Sequence, residues 1–155
     1  MSYLAAVEQG LGEMGLKGRL LLVEPESMVA LGMKVFLSEL GYEICGIARN
    51  ALEALRLAEA LRPNLALVDH QLDPACDGLT VARELDRRFS IPSVLISDRI
   101  DEALTQEGCI LAFLSKPFAP EHLTRVVEAG LDWLRNETLL EWRAPGLLIP
   151  WRRRH

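Results

Sequence analysis

Five short apolar runs, each bounded by Gly, Pro or polar residues, constrain the fold of this chain more than any other feature: Leu20 to Val23, Glu43 to Ala48, Leu65 to Val68, Ser93 to Ser97 and Ala112 to Ser115. Their Leu, Val and Ile residues mostly do not alternate with polar ones. A strand with one wet face alternates, whereas an unbroken apolar run suits a strand buried on both faces, as in a parallel sheet covered by helices. At 155 residues, 50% hydrophobic and 25% charged, the chain has the material for one domain of this kind.

Segments of helical period separate the runs. Met28, Leu31, Val35, Leu37 and Leu40 recur at helical spacing and predict a first helix, ended by the left-handed stop that Gly41 supplies. Asn50 followed by Glu53 reads as a capping-box start for a second helix, which ends before Pro63. Leu79 to Phe89 and Ile100 to Glu107 are the third and a short fourth, with Asp98 as the expected N-cap of the fourth. The fifth starts near Pro120 and carries the stripe Leu123, Val126, Val127 and Leu131. Strand and helix alternating through five of each predict an open doubly wound α/β sheet, and such sheets bind ligands at the carboxyl ends of their strands.

Those ends carry chemistry. Glu24 follows the first run, Asp69 the third, Ser97 closes the fourth, and Lys116 with Pro117 follows the fifth. A carboxylate among an ammonium, a hydroxyl and a divalent cation can act as nucleophile toward a phosphoryl group while the others neutralise the phosphoryl oxygens. Hard oxygen donors of this kind suit Mg²⁺.

RLLLVEPES, LALVDHQLDPACDGL, IPSVLIS and FLSKPF, in that order and at these intervals, resemble the receiver domains of response regulators, the CheY-like modules of two-component signalling, over roughly residues 19–138. The resemblance implies a flavodoxin-like five-stranded parallel sheet of order 2-1-3-4-5. It also implies Asp69 as phosphoacceptor, Lys116 and Ser97 as groups that contact the phosphoryl, and Phe113 as a switch aromatic that turns when Ser97 is drawn toward phosphate. Metal ligands follow in the same way: Asp69, Glu24 and the backbone carbonyl of Gln71, with Glu26 a further candidate, for a Mg²⁺ cofactor. The implied function is a stand-alone receiver in a phosphorelay, served by a histidine kinase or histidine phosphotransfer protein, signalling by protein contact and not a turnover enzyme.

Three departures bear on that site. Pro25 stands where the family usually has its second acid, so one metal ligand is missing and a weaker Mg²⁺ site is expected. Asp98 brings a further negative charge after Ser97, and the loop between Asp69 and Asp77-Gly78 is one residue longer than the commonest form. An interaction module of the same fold that works without phosphorylation is the alternative these residues raise.

Residues 1–18 form an N-terminal extension interrupted by Gly10, Gly12 and Gly15, with neither a basic start nor an apolar run, and residues 139–155 form a C-terminal tail. The tail carries Leu139, Leu140, Trp142, Leu147, Leu148, Ile149 and Trp151, which either fold back on the domain or, with the fifth helix, cover a second copy or a partner. The net charge is −5, and residues 141–155 contribute +3, leaving −8 on the body, so nucleic-acid binding is not expected. No apolar stretch approaches the roughly 18–20 residues of a membrane span. Cys45, Cys76 and Cys109 match neither a disulfide framework nor a zinc site, and His70, His122 and His155 have no ligand spacing. A cytoplasmic protein with reduced thiols is the expectation.

Overall fold

The computed structural model describes residues 17–136 and 146–148, in which strands and helices alternate as the apolar runs require. The elements are β1 (Gly18–Val23), α1 (Ser27–Glu39), β2 (Tyr42–Ala48), α2 (Ala51–Leu61), β3 (Leu65–Asp69), α3 (Gly78–Phe89), β4 (Ser93–Ser97), α4 (Glu102–Thr105), β5 (Ile110–Ser115), α5 (Pro120–Asn136) and β6 (Gly146–Leu148). The sheet order is β2-β1-β3-β4-β5-β6. The first five strands are parallel, in the order 2-1-3-4-5, and β6 adds an antiparallel edge by pairing with Ala112, Phe113 and Leu114 of β5. These three tail residues therefore fold back on their own domain. The rest of the tail and residues 1–16, including most of the apolar residues of the tail, lie outside the described residues.

Unbroken apolar strands feed two cores, because successive side chains point to opposite faces of the sheet. Leu20 and Leu22 of β1 pack with Met33 and Leu37 of α1 and with Leu123, Val126, Val127 and Leu131 of α5. Leu21 and Val23 pack on the other face with Ala54 and Ala58 of α2 and Val81, Ala82 and Leu85 of α3. Phe113 belongs to this second core and is fully buried.

Local chemistry fixes most element ends. The Asn50 side chain accepts from Glu53 N at 2.9 Å, satisfying a donor left free by the first turn of α2, while the Glu53 carboxylate reaches back to accept from Arg49 N, just before the cap, at 2.7 Å. Gly41 has φ 99°, the left-handed conformation that closes α1. Two expectations are corrected. The fourth helix is a single turn, Glu102–Thr105, and its cap is Asp101, whose side chain accepts from Leu104 N at 2.8 Å, so Asp98 is not the N-cap. In α1 the buried residues are Ala30, Met33 and Leu37, whereas Met28, Leu31 and Val35 of the expected stripe are 79%, 52% and 50% exposed. The helix is apolar around most of its circumference, so periodicity located it without fixing its inner face, and the closely packed side took the small Ala30.

Candidate functional site

β1, β3 and β5 end at one edge of the sheet and place Glu24, Asp69 and Lys116 around one cleft. Glu24, Glu26, Val29, Asp69, Asp98, Lys116, Pro117 and Phe118 line it. Asp69 is the last residue of a strand buried throughout, and its own side chain is only 6% exposed. An isolated carboxylate there would be costly, and it is instead held by two donors. Lys116 Nζ lies 3.0 Å from Oδ2, and Gln71 N donates to Oδ1 at 2.9 Å. Lys116 is fixed in turn by its backbone N–H on Ser97 O at 2.9 Å, and the Lys116–Pro117 peptide bond is cis.

Glu24 is also buried and accepts from Glu26 N at 3.0 Å through Oε1. Burial pushes its carboxyl up to about 7, and the adjacent Asp69 carboxylate adds to that rise against the opposing pull of the Glu26 N–H and the Lys116 ammonium. Two buried carboxylates side by side, one holding its proton toward neutral pH, form a site that a hard cation would relieve. Glu24, Asp69 and the Gln71 carbonyl are donors that suit Mg²⁺, but among the described residues no three His, Cys, Asp or Glu groups come together for a metal. Pro25 provides no third acid, Glu26 is exposed on the rim, and Asp98, freed from the capping role, lies on the cleft wall.

The loop after Asp69 turns back sharply. Gly78 N donates to His70 O at 2.8 Å, and a Cβ at Gly78 would lie 2.1 Å from the Asp69 main-chain oxygen, so only glycine lets α3 begin this close to the end of β3. Asp77 beside it caps α3 by accepting from Thr80 N at 2.9 Å.

Ser97 occupies its strand end but is 2% exposed and is not among the described residues that line the cleft. Its Oγ lies 2.9 Å from His70 Nδ1, 3.0 Å from Arg99 O and 3.1 Å from Arg99 N. Spacing along the chain gives His70 no role. Only the register, which pairs Asp69 with Ile96 and so sets His70 opposite Ser97, brings the ring to the hydroxyl.

Comparison with known proteins bears on the family and the fold. Residues 20–128 match the response regulator receiver domain family. The chain is 33% identical over 114 residues to the phyllosphere-induced regulator PhyR of Methylorubrum extorquens, covering 72% of this chain and 43% of that protein. It is 31% identical over 128 residues to the transcriptional regulatory protein PdtaR of Mycobacterium tuberculosis, covering 79% and 61%. The match thus spans less than two thirds of either relative. Among solved structures, the signal receiver domain of a modulated diguanylate cyclase from Desulfovibrio desulfuricans G20 superposes with a TM-score of 0.69 at 31% identity, covering 78% of this chain and 98% of that one.

Proposed function

The chain belongs to the response regulator receiver domain family of two-component signalling, and on that premise we propose that Asp69 accepts a phosphoryl group from the phosphohistidine of a histidine kinase or phosphotransfer protein. The observation that carries this proposal is the Lys116 Nζ to Asp69 Oδ2 contact of 3.0 Å in a shared cleft. It sets a cation beside a buried carboxylate that can act as nucleophile, where phosphoryl charge develops. In the transfer an Asp69 oxygen forms a bond to phosphorus as the phosphorus–nitrogen bond of the donor breaks. The bonding pair returns to the imidazole nitrogen, and the product is an aspartyl phosphate. Lys116 neutralises a phosphoryl oxygen throughout. Glu24, Asp69 and the Gln71 carbonyl would hold Mg²⁺, which would supply further positive charge at the site.

A protein donor fits the surroundings of the cleft better than a small molecule alone. Val29 lines the cleft, and Met28, Val29, Leu31 and Val35 expose an apolar face of α1 beside it. Signalling then passes to a partner by protein contact, with Ser97 and Phe113 as the switch pair.

A second reading, a phosphorylation-independent interaction module, is favoured by one observation: Asp98 adds a negative charge to a cleft already lined by Glu24, Glu26 and Asp69, although among the described residues no three such groups come together for a metal. Acetyl phosphate with saturating Mg²⁺ separates the two. A phosphoryl adduct in the intact mass of the wild-type chain, absent from Asp69→Asn, supports the acceptor. No adduct from acetyl phosphate or from a phosphohistidine donor leaves the interaction module, for which partner binding unchanged in Asp69→Ala is the expected result.

A further inference from the structure

We infer that His70 is a positioning residue that holds the Ser97 hydroxyl turned away from the Asp69 cleft, so that the His70–Ser97 hydrogen bond must open before Ser97 can meet a phosphoryl group. This rests on Asp69 as the phosphoryl acceptor.

The inference follows from hydrogen-bond capacity. A serine hydroxyl has one proton to give and two lone pairs to receive. Three partners surround Ser97 Oγ: Arg99 O at 3.0 Å, Arg99 N–H at 3.1 Å and His70 Nδ1 at 2.9 Å. One assignment satisfies all of them. The hydroxyl donates to the Arg99 carbonyl and accepts from the Arg99 N–H and from a protonated His70 Nδ1. The one proton the hydroxyl could give to a phosphoryl oxygen is then committed to the Arg99 carbonyl, and the donors Arg99 N–H and His70 Nδ1 hold Oγ in the orientation that commits it. The hydroxyl must therefore turn out of all three contacts before it can meet a phosphoryl oxygen.

Two of those bonds come from the main chain two residues on, and any serine at this position can make them. The third depends on the identity of residue 70. The backbone that carries the ring is pinned on both sides, since His70 N donates to Ile96 O at 2.9 Å and His70 O accepts from Gly78 N at 2.8 Å. The ring therefore has a fixed base from which to reach Ser97. It also borders a second cleft, lined by Gln71, Leu72, Asp73 and Asp77.

Two measurements on the full chain test this. The first is the ¹⁵N NMR signature of the His70 ring above neutral pH without phosphoryl donor. The wild type should carry its ring proton on Nδ1, and Ser97→Ala should move the ring toward the other tautomer. The second is the initial rate of adduct formation from acetyl phosphate at saturating Mg²⁺. His70→Leu, which cannot donate, should react about fivefold faster, the factor expected for loss of one hydrogen bond. His70→Asn, whose side-chain amide can donate in place of Nδ1, should stay within about twofold of wild type. Equal rates for wild type and His70→Leu overturn the inference, as does a ring tautomer indifferent to Ser97→Ala. Absence of adduct in every protein, wild type included, defeats the acceptor role of Asp69 instead. In that case the ring signature alone decides whether His70 holds the hydroxyl.

Discussion

Glu24 and Asp69 crowd two carboxylates into the floor of one cleft, and the strain between them has a direction that can be measured. The Glu24 carboxyl is raised from 4.5 to about 7 by burial, with Asp69 adding to the rise. Between those values the folded protein binds a proton that the unfolded chain has released, so Glu24 makes the protein less stable as pH rises through this window. Glu24→Gln removes that slope. The variant should gain on the order of 2–3 kcal/mol over wild type at about pH 8 and little at about pH 4 to 5, read from urea unfolding at each pH. Pro25 accounts for the missing acid beside it. Pro25→Asp should tighten Mg²⁺ by about tenfold or more, followed by isothermal titration, because it adds a hard oxygen donor to the proposed ligands Glu24, Asp69 and the Gln71 carbonyl. The place of Asp69, Glu24, Ser97 and Lys116 at strand ends was legible, since an α/β sheet gathers those ends at one edge. His70 was not, because its partner lies across a strand pair and only the register reveals it. Asp98 misled for a local reason: Asp101 is the residue whose carboxylate reaches the free N–H of α4.

Among the elements, α1 separates what a sequence can say from what it cannot. Its existence and its end at Gly41 were readable, but its buried side was not, because Met28, Leu31 and Val35 repeat at helical spacing on the outer face while Ala30, Met33 and Leu37 repeat on the inner one. The distinction has an energetic consequence. Leu37→Ala should cost 2–5 kcal/mol of stability through lost burial and the cavity left behind, whereas Leu31→Ala, at 52% exposure, should stay within about 1 kcal/mol; chemical denaturation of both decides it. A different result at Leu31 is expected in the presence of a phosphohistidine donor, where loss of the apolar face beside the cleft should slow transfer while leaving acetyl phosphate reactivity unchanged. By contrast the start of α5 and its inner stripe were readable. Its stripe Leu123, Val126, Val127 and Leu131 is buried, and no second apolar face competed with it.

At the scale of the whole molecule, the five unbroken apolar runs led to the doubly wound sheet, since each strand feeds two cores and each connection must cross a face to begin the next parallel strand. The antiparallel β6 was not predicted, because Gly146–Leu148 is too short a run to announce a strand and its pairing partner is the open edge of β5. The sheet brings together the buried Asp69 carboxylate, a cation at 3.0 Å and a second carboxylate, while Ser97 is held by His70. The central claim is that Asp69 is the residue phosphorylated. Borohydride reduction after exposure to a phosphohistidine donor and Mg²⁺, followed by peptide mass mapping, tests it most directly. Reductive labelling confined to Asp69 is the predicted result; labelling at another residue, or none at saturating metal and donor, would contradict it.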